Sequence, residues 1–249
     1  MGIVTIVLVI TFIYFVSNKV NDKDKTSTNK TTQTDSKKDN KKTKSDLPSD
    51  AKVSDWNLVL VNKFHPLKEE INFNHVDVTD GKTITVDERI KEALEAFMQG
   101  ARDNGYDVEY VSGYRSIEDQ TAIYNNSIEE NMANGMSEEE AKEATESLIN
   151  PPGSSEHATG LAVDIAGSDA LAAYPALQAE MNQFDSQKWL IDHAVDYGFI
   201  LRYPQGEEAK KQTGIDYEAW HFRYVGKENA KYIKDKKITL EQYIKDLEN

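Results

Sequence analysis

The sequence predicts an α+β fold: an antiparallel sheet that carries a buried polar site, with helices packed on it. Three observations lead there. Helical and strand-like patterns follow one another in mixed order rather than as a regular βαβ alternation. Some strand-like runs are joined too closely for the crossover that parallel neighbours need. And the run LAVDI at 161–165 reads as a short buried strand holding one charge, Asp164. A buried carboxylate is costly unless it is paired or bound to a metal.

Composition narrows the chemistry. The chain has 249 residues, a formal net charge of -14 and no cysteine, which fits one domain of ordinary size with appendages. Without cysteine there are no thiolate metal sites, disulfides or cysteine nucleophiles, so any metal must be held by His, Asp or Glu. The acidic balance argues against nucleic acid as a partner.

Taken in order, the chain opens with an apolar run at 2–16 (GIVTIVLVITFIYFV). With its flanks it approaches the roughly 18–20 residues that span a bilayer, so residues 1–20 are expected to form a transmembrane helix. The segment lacks the basic start and small-residue cleavage site of a secretory signal. Its lysines follow it instead, against the usual orientation bias if the C-terminal part lies outside. Residues 21–50 are Lys, Thr, Asp, Asn and Ser with almost no apolar side chain; such a segment cannot offset its ordering entropy and reads as a disordered tether. The anchor and tether are expected to hold a domain spanning 51–249 outside a membrane.

Within that domain, 56–62 (WNLVLVN) reads as a strand closed by Pro66. Residues 86–102 carry Ile90, Ala93, Leu94, Phe97 and Met98 at the spacing of a one-sided helix, with Gly105 as its stop signal. A strand at 108–112 leads through Gly113-Tyr114-Arg115-Ser116 into a helix over 117–124. Ser137 and Glu140 form a capping-box pattern that opens a helix reaching about 148. Beyond the central strand come a helix at 186–197, a strand at 199–203, a last core strand at 219–225 and a closing helix at 240–247.

The chemistry concentrates in two stretches, SSEHATGLAVDIA (154–166) and EAWHFRYVG (218–226). His157 stands at the mouth of the strand that carries Asp164, and the two read as ligands of a catalytic zinc, with His221 as the third. Three protein ligands with an open fourth position is the arrangement of such a site. Glu218, three residues before His221, then reads as the base that takes a proton from water, although it is also consistent with a solvated loop carboxylate. Arg115, at the end of a strand, offers a fixed fork of donors for a carboxylate or an oxyanion; an ordinary surface arginine fits that position equally well. His65, His75 and His193 lack such surroundings.

The combination of SGYRS with Gln120, SSEHATGLAVDI, FILRYP and EAWHFRYVG resembles the VanY-type D-alanyl-D-alanine carboxypeptidases, from about Leu58 to Gly226. That resemblance implies one zinc per chain on His157, Asp164 and His221, Glu218 as catalytic base, and Arg115 near the scissile carbonyl. It implies that Ser155 and Gln120 hold the substrate's terminal carboxylate, and that peptidoglycan stem peptides are the partners. The chain departs from the pattern at Ala158, where Gln is common, and at Ala219, where Pro often precedes the Trp-His pair. Neither change removes a reacting group. Three other readings stay open: removal of D-alanine from tetrapeptide stems as an L,D-carboxypeptidase, cleavage within peptidoglycan as an endopeptidase or amidase, and a non-catalytic wall-binding module.

Overall fold

The computed structural model describes residues 47–249. The anchor expected over 1–20 and all but the end of the tether expected over 21–50 lie outside the described residues. Among the described residues no helix is long and apolar enough to cross a membrane.

The centre of the fold is a four-stranded sheet of β3 (Val108–Ser112), β4 (Ala162–Gly167), β5 (Phe199–Leu201) and β6 (His221–Tyr224). Its order is β3-β4-β6-β5, and every neighbouring pair is antiparallel. This is the expected α+β arrangement. A separate hairpin pairs β1 (His75–Asp80) with β2 (Lys82–Asp87) around Gly81, whose φ of 69° suits glycine. The helices are α1 (Lys91–Asp103), α2 (Ile117–Ala133), α3 (Glu138–Glu146), α4 (Ser168–Ala173), α5 (Asp185–His193), α6 (Glu207–Thr213), α7 (Lys227–Lys236) and α8 (Leu240–Glu248).

Strand alternation divides the sheet into two faces. Val163 and Ile165 of β4 and Phe222 of β6 enter the main core, where the apolar stripe of α1 (Leu94, Phe97, Met98, Ala101) packs with Trp189 and Leu190 of α5. Each such fully buried large side chain contributes about 1.5–3 kcal/mol. Asp164, His221 and Arg223 belong to the opposite face. A second cluster closes the C-terminal side: Ile233 of α7 and Leu240, Tyr243 and Ile244 of α8 pack with Leu58, Ile200 and Val225. Leu47 and Ala51 pack against it, so the described fold begins slightly before residue 51.

Several elements differ from their sequence-based expectations. Residues 56–62 do not form a strand: Trp56–Leu58 is a turn of 3-10 helix, followed by extended chain and a single bridge between Asn62 and His65. The reason lies across the molecule, where the Arg223 guanidinium donates to the carbonyls of Asn57 (3.1 Å) and Val59 (2.8 Å) and takes acceptors a sheet would use. Val86 and Asp87 finish β2, so the helix predicted from 86 becomes α1 only at Lys91. The helix predicted to end at 124 continues to Ala133 as α2, whose long polar stretch buries only Gln120 and Tyr124. The helix predicted over 186–197 ends as α5 at His193, and its last turn, Ala194–Tyr197, tightens to 3-10 geometry before Gly198. The capping box of Ser137 and Glu140 is present as expected and opens α3.

Candidate metal centre

Antiparallel pairing brings the chemistry together. In the register of β4 and β6, Asp164 lies directly opposite His221, and on its other side Ser112 of β3 faces Asp164. Directly opposed residues share a face and lie within side-chain reach. A register shift between Tyr110 and Ser112 disrupts β3 beside the site, a common device for re-aiming a side chain. His157 comes from a short 3-10 turn, Glu156–Thr159, that ends at Gly160 with φ 68° and delivers the chain into β4.

The three side chains are buried, and one ligand atom from each lies within 4.8 Å of the other two. His157 Nε2 is 3.4 Å from Asp164 Oδ2, and His221 Nδ1 is 3.2 Å from Asp164 Oδ1. A tetrahedral zinc with donors about 2.0–2.1 Å away sets its ligands roughly 3.3 Å apart, so these spacings fit one. The hydrogen-bonding state agrees. His157 Nδ1 is 2.8 Å from the Gly113 carbonyl oxygen, which can only accept, so Nδ1 carries the proton and Nε2 keeps its lone pair for a metal. Gly113 is required there, because a Cβ would lie 2.4 Å from the Thr85 carbonyl oxygen. Asp164 Oδ1 is buried without a hydrogen-bond partner, an orphaned acceptor that a cation would satisfy.

Glu218 lies beside this triad but outside it, with Oε2 3.5 Å from His221 Nδ1. Its backbone N–H donates to the Tyr203 carbonyl (3.2 Å), and the next carbonyl, of Ala219, accepts from the buried Gln187 amide (2.7 Å). Burial pushes the Glu218 carboxyl up to about 8, against the opposing pull of His221 and with the nearby Asp164 charge adding to the rise. Burial also opposes charge on His221, but the carboxylates of Asp164 and Glu156 outweigh it and raise the imidazole to about 9. For His157 burial prevails over Asp164 and lowers the pKa. Asp164 stays well below the usual carboxylate range: burial works against its charge, and the two histidines more than compensate. A divalent ion among these donors would favour the ionised carboxylate and neutral imidazoles.

Arg115 is half-buried at the rim. Its backbone N–H donates to the His157 carbonyl (3.3 Å), and its guanidinium donates to Gln120 Oε1 (2.7 Å) and Ser112 Oγ (3.2 Å). Gln120 is buried and spends its amide on neighbours, accepting from Arg115 and donating to the Asn150 carbonyl at 2.6 Å. One of its N–H bonds is left over. Ser155 is buried beside His157, and its hydroxyl has no hydrogen-bond partner among the described residues.

The VanY family model, described as D-alanyl-D-alanine carboxypeptidase, matches residues 83–227. The chain belongs to the VanY family. A D-alanyl-D-alanine carboxypeptidase of Enterococcus faecalis is 33% identical over 190 residues, covering 76% of this chain and 66% of that protein. The matched stretch is thus just under two thirds of the length of the curated relatives it first meets. Among solved structures, a mutant of the vancomycin-resistance D,D-pentapeptidase VanY in complex with Zn(II) is 33% identical, with a TM-score of 0.65 over 76% of this chain and 99% of that one. The LdcB LD-carboxypeptidase is 32% identical, with a TM-score of 0.59 over 77% and 87%.

This VanY-family chain also holds charged residues around the centre that its sequence did not disclose. Glu156 is fully buried. Its Oε1 accepts from Arg202 Nε (2.8 Å) and Arg223 Nη1 (2.6 Å), and Arg202 also binds the Glu241 carboxylate through Nη1 (3.0 Å) and Nη2 (2.6 Å). Both arginines sit at the end of, or inside, apolar strand sequence, FILRY and HFRY. The reasoning that singled out Asp164 applies to them too: a charge inside an apolar strand requires a buried partner.

Proposed function

We propose that this chain is a zinc carboxypeptidase that removes the C-terminal D-alanine from peptidoglycan stem peptides. The observation that carries the reading is the buried His157–Asp164–His221 cluster with Glu218 alongside it, in a VanY-family chain. When bound, zinc supplies Lewis acidity, lowering the pKa of water and polarising the scissile carbonyl. Glu218 takes the proton of the attacking water and returns it to the departing D-alanine nitrogen. Arg115 donates to the carbonyl oxygen as negative charge develops there, held in place by Gln120 and Ser112. Such preorganised donors are worth about 3–4 kcal/mol each in other hydrolases. The Ser155 hydroxyl and the spare Gln120 N–H receive the terminal carboxylate.

Mass spectrometry of products from synthetic stems is the test. The pentapeptide ending in D-Ala-D-Ala is expected to lose one D-alanine. The likeness to the LdcB LD-carboxypeptidase supports a second reading, under which the tetrapeptide is the stem that is trimmed. Products cut inside either stem, or no products from either, would overturn both.

The same reading holds the enzyme at the membrane through residues 1–20, with the acidic domain reaching the wall on the tether of 21–50. Nine lysines and six aspartates lie in residues 1–50, which leaves the remainder more acidic than the chain as a whole. On fractionation the full-length protein is expected with the membranes, released by detergent but not by salt. Recovery in the cytosolic fraction would contradict this placement.

A further inference from the structure

We propose that Glu156 is a positioning residue that fixes the tautomer and orientation of the His221 imidazole. The inference rests on the zinc reading of the centre and adds to it a residue that is not itself a ligand.

His221 presents two different nitrogens to two different surroundings. Nδ1 faces the centre, 3.2 Å from Asp164 Oδ1 and 3.5 Å from Glu218 Oε2. Nε2 points away from it, toward Glu156 Oε2 at 3.7 Å. Both Nε2 and Oε2 are buried, and neither has a hydrogen-bond partner among the described residues. A buried donor and a buried acceptor without alternatives are each costly to leave unmatched, and these two face one another.

The rest of the cluster explains why that oxygen is free. Glu156 Oε1 is saturated by the two arginines, which leaves Oε2 as the one oxygen of the carboxylate still open. The arginines are in turn occupied elsewhere. Arg202 is forked onto Glu241, and Arg223 donates to the Asn57 and Val59 carbonyls. Two glutamates and two arginines balance in charge, so Glu156 remains an anion in a fully buried place. An anion there can only accept, which puts the His221 proton on Nε2 and its lone pair on Nδ1, aimed at the centre. His157 is fixed in the opposite sense, because its Nδ1 proton goes to the Gly113 carbonyl. The two histidines of one centre therefore take opposite tautomers, each set by a partner behind it.

Carboxylates behind metal-bound histidines typically change metal affinity about 10- to 100-fold when removed. A purely structural Glu156, present only to neutralise Arg202 and Arg223, would affect stability but not the tautomer. The first measurement therefore uses the unaltered protein, labelled with 15N-histidine and loaded with zinc. Long-range imidazole correlations are expected to show His221 protonated at Nε2 and His157 at Nδ1. The second measurement is zinc affinity by competition with a chromophoric chelator. Glu156→Gln is expected to weaken zinc about 10- to 100-fold. Glu241→Gln breaks the neighbouring Arg202 pair without touching His221, and is expected to lower the melting temperature while leaving zinc affinity unchanged. A zinc-loaded protein with the His221 proton on Nδ1, or a folded Glu156→Gln with unaltered zinc affinity, overturns the proposal. Should Glu156→Gln fail to fold, zinc affinity of Glu156→Asp decides, since it keeps a negative charge for the arginines but draws it back from His221: a weakened affinity supports the proposal, and an unaltered one overturns it. Failure of that protein to bind zinc would instead overturn the metal reading beneath it.

Discussion

Glu218→Gln is expected to lower kcat by about 10²–10⁴-fold, the range that general acid–base catalysis contributes, while zinc stays bound at about one per chain. The expectation follows from where the side chain stands. Glu218 is adjacent to His221 but lies outside the group of three donors that gather around one point. Removing its charge therefore takes away a proton acceptor and leaves the ligand set intact. The segment that carries it is held independently of the carboxylate, through the Tyr203 carbonyl and the Gln187 amide, so the isosteric amide has no reason to displace it. A loss confined to the chemical step lowers kcat and kcat/KM together. The contrast is His157→Ala or His221→Ala, which remove a donor and are expected to lose the metal itself. Elemental analysis beside single-turnover kinetics separates the two classes. Near-normal turnover in Glu218→Gln would remove Glu218 from its role.

What the sequence disclosed, and what it hid, divides along local and non-local lines. Asp164 was legible because one carboxylate in LAVDI contradicts its neighbours, and burial in β4 is what makes that contradiction costly. His157 was legible by proximity to it. That His221 should be opposite Asp164 is a matter of strand register, which no local pattern encodes; only the company of Glu218 and the family resemblance pointed to it. Glu156 was hidden for the opposite reason. In SSEH it looks like any solvated loop acid, and its burial depends on Arg202, Arg223 and Glu241, which lie 46, 67 and 85 positions away in sequence. The β1–β2 hairpin escaped notice because HVDVTD buries only Val78, while the buried end of KTITVD, Val86 and Asp87, reads as the start of the helix that follows. The strand expected at 56–62 failed because Arg223, far along the chain, claims its carbonyls. α2 outran its predicted end because its polar turns are held by α3 rather than by an apolar stripe: Tyr124 donates to Glu146 at 2.7 Å, and the Ser127 and Thr145 hydroxyls are 3.1 Å apart.

A stem peptide ending in free D-alanine is expected to be hydrolysed with a kcat/KM one to several orders of magnitude above that of its C-terminal amide. Ser155 is a largely buried residue whose hydroxyl takes part in no hydrogen bond among the described residues, and Gln120 retains one N–H after serving Arg115 and Asn150. Donors left in a dry pocket without their charged acceptor cost about 1–3 kcal/mol apiece, and each 1.36 kcal/mol is tenfold in rate. Sites built to hydrogen-bond a substrate group reject analogues lacking it far more strongly than apolar pockets reject a missing methylene. The two residues differ in a way that sharpens the test. Ser155→Ala should slow the acid and spare the amide, narrowing the gap, because the hydroxyl serves nothing else. Gln120→Ala should slow both substrates, because the same side chain holds the Arg115 guanidinium at 2.7 Å. Equal rates on acid and amide with the unmodified enzyme would show that no free carboxylate is read, and the site would then belong to an endopeptidase.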